Sequence, residues 1–227
     1  IKTINQVIND FNISQDKVAM IKESLIRDWK NAALNRPINQ VFSRSRREFG
    51  MDPYSNIELA EAIQPVDLTD LKNYMTTLLS DVSLKVLTHG NTSKNEAISI
   101  ASNLRHSFIR DNNIGEGFKA NIRHMMSNEN EVVELDIAHD DSAIVVTYPM
   151  PSNIDNIAKT QMLGQVLGAA FFNELRTKQQ LGYIVGASGS NVENLPTLNF
   201  YIQSSKVGPV ELEKRINNFI NTQYLAI

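Results

Sequence analysis

The alternation of apolar and polar positions is most regular between residues 152 and 187. Ile154, Ile157, Ala158, Met162, Leu163, Val166 and Leu167 recur at helical spacing and predict a helix over 152–170 with a wide apolar face. Ser152 stands where an N-cap is wanted, its hydroxyl able to accept from a first-turn amide. The run Tyr-Ile-Val-Gly-Ala at 183–187 reads as a buried strand, with Gly182 as punctuation before it. The stretch from Phe171 to Tyr183 must therefore carry the chain from a helix tail into a strand. Arg176 and Tyr183 fall on either side of that bend. A fixed cation and a phenol so placed can both point into a cleft and donate hydrogen bonds to a carbonyl oxygen.

The same reading extends along the chain. Ile1, Ile4, Val7, Ile8 and Phe11 predict a first helix. Ser14 caps a second, with Val18, Ile21, Leu25, Ile26 and Trp29 on one face. Pro37 suits the first turn of a third helix carrying Ile38, Val41 and Phe42, which Gly50 closes. The polar side of that helix bears Arg44, Arg46 and Arg47, either a solvated face or a wall for an acidic partner. Ser55 opens a short helix, and another follows Pro65 with Leu68, Leu71, Tyr74, Met75, Leu78 and Leu79 inward. The period then changes to two at Val82, Leu84 and Val86, a strand. Ser93 with Glu96 forms a capping box for a helix reaching about Arg110.

Polar residues 111–117, with two glycines, make the best linker. Beyond it, Val132, Val133, Leu135 and Ile137 predict a strand that pairs as a hairpin with 143–148 through a turn at His139-Asp140-Asp141. A turn at 189–191, a strand at 198–202 and a helix from Pro209 with Leu212, Ile216, Phe219 and Ile220 complete the pattern. Helices alternating with short strands define an α+β fold in two parts, 1–114 and 115–227.

Composition narrows the function classes. A net charge of −3 over 227 residues gives no field suited to nucleic acid, and no apolar run is long enough for a membrane helix. With no cysteine there is no disulfide, thiolate zinc site or cysteine nucleophile. The chain opens on Ile1 rather than Met and stops at Ile227 within a helical pattern, which reads as an excised piece of a longer protein.

The wording Phe-Asn-Glu-Leu-Arg-Thr-Lys-Gln-Gln-Leu-Gly-Tyr-Ile-Val at 172–185 resembles the C-terminal half of the pitrilysin/insulinase family of zinc metallopeptidases. Leu-Thr-His-Gly-Asn-Thr-Ser-Lys at 87–94 resembles a strand-to-helix turn upstream of that motif, and the likeness extends over the whole chain. The resemblance implies two incomplete metallopeptidase-like α/β-sandwich domains, each a sheet packed by helices. Residues 1–114 correspond to the latter part of a third domain and 115–227 to the first part of a fourth. It implies a parent whose N-terminal half binds zinc through His-x-x-Glu-His and a distant Glu, closing against the C-terminal half around a peptide substrate. It further implies that Arg176 and Tyr183 reach across to bind that substrate near the scissile bond, with Phe172 lining the cavity and Asn173 and Gln180 as weaker matches. The compartment is periplasmic for a bacterial pitrilysin-type protein and cytoplasmic otherwise.

The residues themselves carry no metal motif. The histidines are His89, His106, His124 and His139; none pairs with another at one helical turn, so no zinc ligand is assigned and the chain alone is expected to cleave nothing. Asp140 and Asp141 are isolated carboxylates at a turn, where Asp is favoured anyway. Spacing alone leaves other readings open. Arg176 could cap the long helix, Tyr183 could be a buried aromatic with a satisfied hydroxyl, and Phe172 and Leu181 could be core. An inactive scaffold of the same fold, or a peptide-binding module with a sheet edge for strand addition, is the alternative to a peptidase half.

Overall fold

The computed structural model describes residues 12–50, 52–78, 84–108, 131–192 and 194–224. The first predicted helix, the linker at 111–117 and His124 lie outside the described residues. Contacts divide the chain into two compact units, one gathering residues 1–29 and 57–120, the other 30–56 and 121–227. Residues 30–56 thus gather with 121–227 in the second unit.

In the first unit the caps predicted at Ser14 and at Ser93 with Glu96 form, and Asp67 adds one that was not predicted. The N-terminal turn of α1 (Gln15–Ala32) is held by Ser14 Oγ, which accepts from Lys17 N at 3.3 Å. Lys22 on α1 donates to the carbonyls of Gln64 and Val66 at 2.9 and 3.0 Å, beyond the end of α3 (Asn56–Ala62). Asp67 caps α4 (Leu68–Leu78), accepting from Thr69 N and Asp70 N. The Ser93–Glu96 box closes the start of α5 (Lys94–Phe108) from both directions, Glu96 Oε2 accepting from Ser93 N at 2.8 Å and Ser93 Oγ from Glu96 N at 3.3 Å. The apolar stripe of α4 is narrower than its pattern: Leu68, Leu71 and Met75 are half-buried, and Tyr74 and Leu78 are exposed. Of the strand predicted at 82–86, residues 82 and 83 lie outside the described residues, and 84–86 join no ladder.

The second unit holds the sheet. Strands β1 (Ser142–Pro149), β2 (Ile184–Val192) and β3 (Leu195–Ser204) form an antiparallel sheet of order β1-β3-β2, with β3 central. Helix α6 (Ile154–Phe171) and helix α7 (Pro209–Tyr224) cover one face. Leu198, Phe200 and Ile202 of β3 meet Phe171 of α6 and Leu212, Ile216 and Phe219 of α7 there. Phe171 packs edge-on to Phe219 with ring centroids 5.1 Å apart, and lies 5.2 Å from Phe200. Helix α2 (Pro37–Glu48) lies on the other face, where Phe42 meets Tyr201 edge-on at 5.2 Å. Pro37 does occupy its first turn, and Gly50 follows its end at φ 71. Two of its three arginines are paired, Arg44 with Glu48 and Arg46 with Asp52, which favours the solvated face.

Four expectations are corrected. The N-cap of α6 is Asn153, whose side chain accepts from Asn156 N at 2.8 Å, not Ser152. Of the apolar face predicted for α6, Ile154, Met162 and Val166 are largely exposed, while Leu167 packs against the core beside Phe171. Toward β2 the helix turns the small row Thr160-Gly164-Gly168, because the strand approaches so closely that a methyl group at Gly164 would lie 2.0 Å from Gly189 N. Residues 132–137 join no strand ladder, so β1 pairs with β3 instead of forming the predicted hairpin, though the turn at 138–141 is present. Residues 189–191 continue β2, and the chain reverses instead beside Asn194, which takes φ 68. An alternating polar pattern concealed the strand's length there.

Candidate functional site

Helix α6 does not end as an α-helix. Residues Phe172–Lys178 form a π-helical segment, a wide turn in which bonds reach five residues back. Gln179 N donates to Glu174 O at 3.0 Å, and Leu181 N reaches Leu175 O at 3.0 Å around Gln180, which takes the left-handed φ of 52. Such a stop suits glycine better than glutamine. Leu175 and Leu181 are both buried and clasp the turn from within, so Leu181 is core as expected. Phe172 is not: the core position goes to Phe171, and Phe172 is 47% exposed. The wider winding rotates the residues that follow relative to the α-helical face.

The charges of the motif are sorted by this winding. Glu174 accepts from Lys178 Nζ at 2.9 Å and from Gln179 Nε2 at 3.0 Å. Arg215 of α7 reaches Gln179 Oε1 at 3.4 Å. Arg176 is left over. Among the described residues its guanidinium has no hydrogen-bond or ion-pair partner, so it does not cap the helix by a hydrogen bond.

After Gln180 the chain crosses the end of β3 at Gly182. A Cβ there would lie 2.0 Å from the carbonyl oxygen of Gln203, so only glycine passes. Ser204 Oγ donates to Leu181 O and accepts from Lys206 N at 3.0 Å, pinning the crossing from below. The bend encloses an open concavity of about 270 Å³, lined by Arg176, Gln180, Gly182, Tyr183 and Lys206 among others. Arg176 and Tyr183 thus line one depression. Phe172 and Asn173 do not line it.

Tyr183 is half-exposed, and its hydroxyl is hydrogen-bonded to two side chains. It donates to Asp141 Oδ2 at 2.7 Å. Gln203 Nε2 donates to the same carboxylate oxygen at 2.8 Å and also to the Tyr183 oxygen. Gln203 is wholly buried, and its Oε1 accepts from Ile38 N of α2 at 3.1 Å. The hydrogen bond from Tyr183, then that from Gln203, holds the Asp141 carboxyl below the usual carboxylate range, and the Asp141 bond raises the Tyr183 hydroxyl above its ordinary value. Backbone geometry supports the same carboxylate, since Asp141 N donates to His139 Nδ1 at 2.9 Å.

Asp141 and Gln203 escaped sequence reasoning. Asp141 reads as an ordinary turn residue, and Gln203 lies beyond the strand predicted at 198–202. Only the register, with Gln203 opposite both Ala143 and Ile184, brings them beside Tyr183. Among the described residues no group of three or more His, Asp or Glu converges in a way that could hold a metal ion, so zinc has no fitting ligand set there. His106 Nδ1 lies 2.8 Å from Ser102 O within its own helix.

This arrangement is a metallopeptidase-like α+β fold. It matches the crystal structure of pitrilysin with a TM-score of 0.73 over 93% of this chain and 23% of that one, at 20% identity. Residues 162–227 match a family model described as PQQ synthase PqqF-like, C-terminal lobe domain 4. The chain is 27% identical to the insulin-degrading enzyme of Mus musculus over its whole length, covering 23% of that protein. It is 28% identical to the A-factor-processing enzyme of Saccharomyces cerevisiae over 96% of this chain and 22% of that protein. The chain is therefore related to the C-terminal half of the insulinase/pitrilysin family, and spans less than a quarter of the length of these relatives.

Proposed function

We propose that this chain serves a zinc-dependent endopeptidase as the substrate-binding side of its chamber. In this reading residues 1–114 belong to a third domain and 115–227 to a fourth, and the catalytic metal belongs to the N-terminal half of the same protein. Arg176 and Tyr183 hold the backbone of a peptide near the bond to be cut, and Phe172 offers an exposed ring further along the same helix end. The chain alone cleaves nothing.

One observation carries the proposal: a guanidinium without a partner among the described residues and a half-exposed phenol face a common concavity across a π-helical bend. Arginine keeps its charge at any working pH and offers five donors, which suits a carbonyl oxygen that gains charge as a peptide bond is attacked. A π-segment is a costly winding that recurs at functional sites. The relatives, named for degrading insulin and processing A-factor, favour a peptide as the ligand.

The test is peptide turnover by the native protein that carries this sequence, with Arg176→Gln and Tyr183→Phe made singly. Removing one transition-state donor costs on the order of 2.7–4 kcal/mol, so Arg176→Gln lowers kcat by about a hundredfold to a thousandfold with zinc content unchanged. Undiminished turnover in both variants removes these residues from the reaction. A native protein without zinc or turnover makes the chain part of a scaffold instead.

A further inference from the structure

The concavity beside the bend carries positive charge that its own lining does not neutralise. It holds Arg176 and Lys206 and no Asp or Glu. Three carboxylates tied to the bend are already engaged. Glu174 accepts from Lys178 at 2.9 Å and from Gln179 at 3.0 Å. Glu211 pairs with Arg215 at 2.6 Å, and Asp141 accepts from Tyr183 and Gln203. Arg36 strengthens the field, since its charge favours the ionised form of the nearby Tyr183. Among the described residues the Lys206 ammonium has no hydrogen-bond or ion-pair partner. Its backbone is nonetheless fixed. Ser204, 1% exposed, accepts at Oγ from Lys206 N at 3.0 Å and from Val207 N at 3.2 Å, and donates to Leu181 O. One buried hydroxyl thus ties the root of this lysine to the crossing at Leu181 and Gly182, which lines the same concavity.

We infer that Lys206 is a specificity-determining residue, which selects peptides that bring a carboxylate into the concavity. The inference rests on the proposed reading of the concavity as a peptide site. A cleft lined by one sign of charge focuses its field and favours a ligand of the other sign. Lysine suits the task as a compact charge on a four-carbon stem, able to meet a carboxylate without fixing its orientation. Its pinned root restricts the arc over which that charge moves, and Ser205 beside it adds a hydroxyl to the same lining. The carboxylate can come from an Asp or Glu side chain or from the end of the peptide, since both present the same anion. A peptide without one leaves the charge of Lys206 unpaired and is bound less tightly.

The experiment measures the affinity of the native protein for an uncharged, unstructured ten-residue peptide in two series. One carries a single Glu, or Gln in its place, at each position in turn; the other has a free or an amidated C-terminus. Affinities are determined for the unaltered protein and for Lys206→Met, Lys206→Arg and Arg176→Gln, each first checked for an unchanged circular dichroism spectrum. In the unaltered protein one carboxylate is expected to bind about threefold to fivefold more tightly than its amide, the size of a part-exposed ion pair. The ratio shrinks as salt rises from about 0.05 to 0.5 M. It falls below about 1.5-fold in Lys206→Met, which keeps the stem and loses the charge, and is retained in Lys206→Arg. A ratio at an internal position assigns a side chain to Lys206, and one confined to the C-terminal pair assigns the chain end. A ratio absent from the unaltered protein, or undiminished in Lys206→Met, overturns the inference, while weaker binding of every peptide to Arg176→Gln leaves the peptide site standing. If neither Lys206→Met nor Arg176→Gln weakens any peptide, the site itself is refuted, and the inference with it.

Discussion

The two faces of strand β3 do different work. One carries Leu198, Phe200 and Ile202 into a core sealed by α6 and α7, and nothing on it reaches the concavity. The other carries Thr197, Asn199 and Gln203, each buried and each hydrogen-bonded. Thr147 donates to Asn199 Oδ1 at 2.9 Å, and Asn199 Nδ2 donates to Ser190 Oγ at 3.1 Å across the sheet. Gln203 ends this face beside Tyr183. The apolar face makes the fold tolerant of its surroundings. The polar face fixes directions, because a buried amide with both ends paired can stand only one way. Stability is thus concentrated on one side of a single strand, and orientation on the other.

Substitutions can set the two faces against each other. Phe200→Ala removes a ring at the centre of the aromatic cluster and is expected to cost about 3–5 kcal/mol in denaturant unfolding. Gln203→Leu keeps the volume but strands Ile38 N and frees Tyr183, at a cost of about 1–3 kcal/mol. It should weaken peptide binding more than Phe200→Ala does in molecules that remain folded. Equal effects on binding would erase the distinction between the faces.

Gln180→Gly acts the other way. It relieves a left-handed backbone position and should raise stability by up to about 1 kcal/mol, read as a higher Tm. A lower Tm would mean the glutamine side chain contributes more than its conformation costs. The smallest effect is that of pH. Asp141 has a depressed pKa, so its contribution is fully present above the ordinary carboxylate pKa of about 3.9 and is lost as pH falls through the depressed value. The stability difference between the unaltered protein and Asp141→Asn should be flat from about pH 5 to 8 and shrink below about pH 4. A difference that grows on acidification would show that the carboxylate is not the form held.

Much of this was legible in the residues, and the failures have physical causes. Caps could be read because they depend on local chemistry, as at Ser14, Ser93 and Glu96. The helix beginning at Pro209 was legible because Leu212, Ile216 and Phe219 repeat at its period. The face that α6 buries was not, because close approach to β2 selects glycines over the larger residues that periodicity weighs. Arg176 and Tyr183 stood out in sequence and share a concavity in the fold. Their surroundings did not stand out. A π-turn has no composition of its own, and the Asp141–Tyr183–Gln203 cluster joins residues 42 and 20 positions apart through strand register alone.

The central claim is that a substrate peptide lies against the bend at 176–183. A peptide bearing a photo-reactive group, bound to the native protein, irradiated and mapped by mass spectrometry, tests it directly. The account predicts cross-links within 176–183 and at Ser205 or Lys206, reduced in Arg176→Gln. Cross-links of the bound peptide confined to other segments, unchanged by that substitution, would contradict it.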